Sequence, residues 1–163
     1  FYLYFNSKDD IINGVADRIA ERMVEAAAAA VASSRTAVAK FHALQESISA
    51  TARERANWEL AQIYHRPENR AVHDRMAERM LRHLQPLVEG VIRGGVEEGV
   101  FHVADVSRAA SFILGGMHAL ELAMDDRAAV ADAMDAVEAL ALRTLGCVTP
   151  TLRRARTKSR EEK

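Results

Sequence analysis

The sequence predicts an all-α protein, and three observations carry that prediction. Alanine, the residue with the lowest cost in a helix, occurs 30 times in 163 residues, while Gly and Pro together number eleven. Apolar residues recur at spacings of three and four along most of the chain. No stretch shows the period-two alternation or the β-branched clustering of a strand.

The first helix is expected to open at Ser7. Ser7-Lys8-Asp9-Asp10 has the form of a capping box, and its two acids suit the positive end of a helix dipole. Ile12, Val15, Ile19, Met23 and Ala27 then form one buried stripe running to about Ala32, where Ser33-Ser34 ends it. Thr36 begins the next helix, with Val38, Phe41, Leu44, Ile48 and Thr51 on one face. It reaches at least Arg55, and Trp58, Leu60 and Ile63 extend it or form a short helix of their own. Pro67 disfavours helix at Arg66 and marks a break.

A long pattern follows through Val72, Met76, Met80, Leu84, Val88, Val91, Ile92 and Val96. Pro86 lies inside it and predicts a kink or a break, since proline removes a backbone bond and clashes with the preceding turn. Asp105 or Ser107 starts a further helix whose apolar residues cover nearly the whole circumference, which predicts burial on all sides. The last helix carries a narrow seam through Val130, Met134, Val137, Ala141 and Leu145. Gly146 is its expected stop and Pro150 prevents a restart.

Composition narrows the function. Apolar residues make up 49% and charged residues 28%, as in globular rather than disordered chains. The lone Cys147 closes no intrachain disulfide, and no run approaches the length of a membrane span, so the cytoplasm is the expected compartment. Net charge is −1, but residues 153–163 carry six Lys/Arg against two Glu, a local +4, which leaves −5 on residues 1–152. The body therefore offers no broad basic face to DNA.

Metal and catalytic signatures are absent from the sequence. The residues three before His42, His65, His73, His83, His102 and His118 are Ala39, Gln62, Arg70, Met80, Gly99 and Gly115, so no Glu-x-x-His pair exists for a carboxylate-bridged metal pair. No His-Glu-x-x-His, Gly-x-Ser-x-Gly or phosphate-binding glycine loop occurs. No cofactor, no metal and no catalysis are expected.

The stretch Phe1-Tyr2-Leu3-Tyr4-Phe5-Asn6-Ser7-Lys8-Asp9-Asp10-Ile11-Ile12 is the most informative. Tyrosine hydroxyls donate to phosphate oxygens, and a lysine at a helix start adds charge beside free backbone amides. This run resembles the end of the recognition helix and the start of the connecting helix in TetR-family transcriptional regulators. Tyr64–Arg70, Gly94–Phe101 and Gly115-Gly116 resemble the regulatory domain of many members, more weakly. The chain opens on Phe1 within an aromatic cluster, where a natural start is not expected, so it reads as a piece of a longer protein.

The resemblance implies a TetR-like regulatory bundle: residues 1–6 a remnant of the helix-turn-helix, 7–33 the connecting helix, 34–147 a ligand-binding and dimerisation domain, and 148–163 a basic tail without fixed structure. It implies Tyr2, Tyr4 and Lys8 as phosphate contacts on operator DNA. It also places a cavity for a small apolar effector among the helices. Phe41, Leu44, Ile48, Trp58, Ile63, Met76, Met80, Leu84, Phe112 and Met117, with His83 and His118 as polar groups, have the adaptable chemistry such a cavity needs. Small residues at Gly115, Gly116 and Ala119 beside Phe112, and the stripe Met134, Val137, Leu140, Ala141 and Leu145, predict a four-helix homodimer interface. The implied function is a ligand-responsive repressor. An all-α interaction protein without an effector, or a helical-bundle enzyme, are the rival readings.

Overall fold

The computed structural model describes residues 8–54, 59, 66–122 and 129–147. Among these, five α-helices follow in order: α1 (Lys8–Ser33), α2 (Ala37–Arg53), α3 (Arg70–Glu97), α4 (Val106–Leu122) and α5 (Ala129–Thr144), with a 3-10 turn at Pro67–Asn69 ahead of α3. No strand occurs among the described residues.

The α1–α2 link is three residues long, so the two helices return on each other as antiparallel neighbours. The hydroxyls of Ser33 and Ser34 both donate to the carbonyl of Ala30, which closes the last turn of α1. Thr36 is the N-cap of α2, its hydroxyl accepting from the amide of Ala39 at 3.3 Å. The stripe on α1 is shorter than its sequence suggests. Ala20, Met23 and Ala27 are buried, whereas Val15 is 41% exposed. By helix rise α1 is about 39 Å long and α2 about 26 Å, so the first turns of α1 run past the helix that covers the rest.

Helix α3 passes Pro86 without ending, so of the expected kink or break the break does not occur. Leu84 and Val88, buried on either side of it, are held in the core. Gln85 and Glu89 tie the same turn to α4: Gln85 Nε2 donates to Glu89 Oε1, to the carbonyl of Ser107 and to Ser111 Oγ, while Ser107 Oγ donates to Glu89 Oε1 at 2.8 Å. Tertiary packing on both faces outweighs one lost backbone bond.

One end of the bundle is closed tightly. Gly99, at φ +72, turns the chain out of α3, and the amides of Val100 and Phe101 both donate to the carbonyl of Gly95. Phe101 thereby enters the core, 1% exposed, and meets Phe41 edge to face at 6.5 Å. Asp105 caps α4 by accepting from the amide of Arg108. At the far end of the chain Gly146, at φ +68, stops α5, and the carbonyl of Leu145 accepts from the amide of His102 at 2.7 Å. Helices α4 and α5 therefore form an antiparallel hairpin whose open ends lie beside the start of α2. The main core joins Met23 and Ala27 of α1 to Phe41 and Leu44, Val88 and Ile92, Ile113 and Leu114, and Val137 and Leu145.

Candidate functional site

Two regions carry functional chemistry: the interior where α2, α3 and α4 meet, and the outer face of the α4–α5 hairpin.

The interior draws together much of the residue set predicted from sequence. Phe41, Leu44, Ile48, Leu84 and Met117 are buried in one cluster, and Met80 packs against it half-buried. Met76 is also half-buried. His83 points the other way and is exposed on α3. Phe112, assigned from sequence to both cavity and interface, is 68% exposed and lines no interior space of this chain. Its position on α4 explains this. Ser111, one residue earlier, faces α3 through its contact with Gln85, so the next 100° of helix turns outward. Trp58 and Ile63 lie outside the described residues.

Three buried polar side chains were not singled out by sequence: Gln45 and Ser49 on α2 and, apart from them, His73 on α3, each under 5% exposed. Gln45 and Ser49 follow Phe41 at intervals of four, one ridge of α2. That spacing was readable, but Phe41, Leu44 and Ile48 alone satisfied an amphipathic pattern. His73 of α3 stacks on His118 of α4, ring centroids 5.5 Å apart and 18° between planes. His118 is half-buried and so joins the predicted interior from its edge.

A separate open groove of about 500 Å3 runs between α3 and α4, lined by Glu78, Leu81, Arg82, Gln85, Pro86, Glu89, Ser111, Leu114 and Gly115. None of the residues predicted to line an effector cavity belongs to it. Within it the Glu89 carboxyl is held below its ordinary range, first by the hydrogen bond from Gln85 and then by that from Ser107, with Arg93 adding a smaller charge contribution. Across the bundle, Asp17 of α1 pairs with Arg79 of α3 and, by hydrogen bond and then by charge, raises the guanidinium pKa.

The outer face of the hairpin is apolar and uncovered. Phe112 and Leu120 of α4 and Leu140 of α5 are exposed at 68%, 36% and 56%. Gly116 and Ala119 lie exposed between the first two, while Gly115, one turn after Ser111, is exposed on the flank that lines the α3–α4 groove. On α5, Glu138 marks the flank facing α2, since its carboxylate lies 3.1 Å from His42 Nδ1. Leu140 lies on the opposite flank. The remaining predicted interface residues of α5, namely Met134, Val137, Ala141 and Leu145, are buried within this chain. Their seam holds α5 on its own bundle; the helix offers a second, different stripe outward. Its own chain covers only one half of α4, and the other half carries the exposed strip.

Tyr2, Tyr4 and the capping residue Ser7 lie outside the described residues. Lys8 opens α1, and its side chain also lies outside them. Among the described residues no group of three His, Cys, Asp or Glu side chains is arranged to hold a metal ion. No described helix is long and apolar enough to cross a membrane.

The architecture matches solved regulator structures. A bacterial regulatory protein in the tetR family from Rhodococcus RHA1 superposes with a TM-score of 0.62 at 21% identity, over 91% of this chain and 79% of that one. The TetR-family transcriptional regulator PfmR from Thermus thermophilus superposes with a TM-score of 0.60 at 20% identity, over 91% of this chain and 80% of that one. The fold is thus the all-α fold of TetR-family regulators. No protein-family model and no curated protein sequence matches the chain.

Proposed function

We propose that this chain is the sensing and pairing body of a TetR-family transcriptional regulator, a cytoplasmic homodimer that represses by holding operator DNA and releases it on binding a small apolar effector. It is not an enzyme on this reading. The observation that carries the proposal is the bare apolar face of the α4–α5 hairpin in a fold shared with regulators of that family. Apolar side chains as large as Phe112 and Leu140 favour burial by about 2 kcal/mol each, and a second copy of the same hairpin covers both at once across a two-fold axis. Pairing of this kind suits a palindromic operator, whose half-sites repeat the symmetry of the protein.

Effector binding in the interior would reach DNA through α1. That helix packs on α2, is tied to α3 by the Asp17–Arg79 pair, and begins at Lys8, which together with Tyr2 and Tyr4 is a proposed phosphate contact. An effector that binds one tilt of α1 better than another shifts the population of the two.

Sedimentation velocity at micromolar concentration tests the pairing on which the rest depends. The wild-type chain is expected to sediment as a dimer. Phe112→Glu and Leu140→Glu, each placing a charge on the exposed strip, are expected to sediment as monomers with unchanged far-UV circular dichroism. A wild-type chain that stays monomeric at tens of micromolar would refute the proposal.

A further inference from the structure

Gln45 is chemically out of place. It is 2% exposed, with Phe41 and Ser49 before and after it on the same ridge of α2 at 1% and 3%. Neither its amide nitrogen nor its carbonyl oxygen has a hydrogen-bond partner among the described residues. A carboxamide carries two donors and an acceptor with two lone pairs. Burying all of them unpaired forfeits their hydration with nothing to offset it, which is why such groups are rare in interiors.

Its surroundings are adjustable. One turn earlier, His42 pairs with Glu138 of α5. Helices α2 and α5 run antiparallel, because Phe41 meets Phe101 and His102 meets Leu145 at the same end of the bundle. One further turn along each brings Gln45 level with Met134, which is buried at 7%. Methionine repacks more readily than branched or aromatic residues, so this layer opens at low cost.

We infer that Gln45 is the polar recognition group of the effector site, and that the effector is an uncharged, mainly apolar molecule presenting an adjacent hydrogen-bond donor and acceptor, as on the edge of a primary amide or a lactam. This inference rests on the effector-sensing reading above. An amide edge pairs with a carboxamide through two hydrogen bonds, satisfying both atoms that the interior leaves bare. A charge would find no buried partner among the described residues. The buried polar side chains among the described residues are Gln45, Ser49 and His73, with no buried Lys, Arg, Asp or Glu. Counting helix rise from the Ala37–Glu98 contact, His73 lies about 25 Å further along the bundle than Gln45. A carboxylate or ammonium beside Gln45 would be stranded without a counter-charge.

The test is calorimetric titration of the 163-residue chain with three probes of equal chain length: octanamide, methyl octanoate and octanoate. Octanamide supplies donor and acceptor, the ester an acceptor only, and octanoate a charge. Wild type is expected to bind octanamide at least about tenfold more tightly than either of the others, the effect of one to two buried hydrogen bonds. Gln45→Leu is expected to bind octanamide and the ester equally and to melt at a higher temperature without ligand. Gln45→Met, which keeps the side-chain length, serves the same purpose if the leucine variant does not fold. If octanamide has no advantage, if the variant retains that advantage, or if the variant melts lower, Gln45 is not the recognition group, although binding of the ester would leave the sensing reading standing. If none of the three probes binds wild type, the sensing reading fails and takes this inference with it.

Discussion

Both carboxylate oxygens of Glu98 lie 3.0 Å from the backbone nitrogen of Ala37, so the first amide of α2 is capped by a residue 61 positions away. Thr36 satisfies a second amide, that of Ala39, from within the local sequence. A helix start has four amides without intrahelical partners and a partial positive charge, so a carboxylate there acts by hydrogen bond and by dipole together. Glu98 is the C-cap of α3, and the contact therefore locks the end of one core helix to the beginning of another.

Glu98→Ala is expected to lower unfolding free energy by about 1 kcal/mol, the usual size of a lost cap, with the midpoint in urea moving and the slope unchanged. Glu98→Gln, which keeps an acceptor but not the charge, should lose less. An alanine variant as stable as wild type would show that solvent serves the Ala37 amide equally well.

Two neighbouring glycines on α3 are expected to respond in opposite directions. A Cβ on Gly95 would stand 1.9 Å from Cδ2 of Phe101, whose ring is buried against Phe41, whereas a Cβ on Gly94 meets nothing within 4 Å. Gly95→Ala must displace a core aromatic and should cost about 1–3 kcal/mol, as overpacking does. Gly94→Ala gains helix propensity, up to about 1 kcal/mol, and should raise the melting temperature. Thermal unfolding of the pair reads both signs, and a stabilising Gly95→Ala would mean that the Phe101 ring does not rest on that glycine.

The contrast between these glycines explains what sequence conveyed and what it did not. Boundaries set by local chemistry were legible: Thr36 as a helix start, Asp105 as one of two candidate starts with Ser107, Gly146 as a stop. Pro86 does not end its helix, because its neighbours Leu84 and Val88 are pinned by the core and Gln85 by α4, contacts that no local rule contains. The interior site was half legible. Phe41, Leu44 and Met117 announced themselves by periodicity, but Gln45 and Ser49 read as polar interruptions, since burial of that ridge depends on where α5 lies. On α5 itself periodicity found the seam through Val137 and Ala141, yet it could not say whether the chain's own core or a second copy covers it. Leu140, one residue off that seam, is the outward one.

Acid should act on the α3–α4 contact through Glu89. Its folded pKa is depressed, chiefly by Gln85 and then Ser107, so the ionised form is the one the fold favours. A depressed carboxyl contributes stability that is fully present above its unfolded pKa and is lost as pH falls through the folded value. Stability of wild type relative to Glu89→Gln should therefore shrink below the ordinary carboxylate range and stay constant between about pH 6 and pH 8, above the window where carboxylates titrate. Urea midpoints of the two proteins at a series of pH values give this directly; parallel curves across the acid range would remove Glu89 from the account.

Gly115 and Gly116 separate folding from pairing. Each lies on α4 with nothing within 4 Å of the position a Cβ would take, so within one chain alanine is admitted without a clash. Helix propensity alone then favours Gly116→Ala by up to about 1 kcal/mol in the monomer. The same methyl group stands on the exposed strip beside Phe112 and Ala119, where small residues let a second helix approach closely. In a dimer built on that strip, the added bulk separates the two hairpins and weakens their packing. The variant should thus unfold later than wild type at protein concentrations too low for pairing, and dissociate at higher concentrations than wild type does. Chemical unfolding combined with a sedimentation dilution series reads both quantities from one protein. Equal dissociation constants for Gly116→Ala and wild type would move the interface off this part of α4, even if the pair remained a dimer.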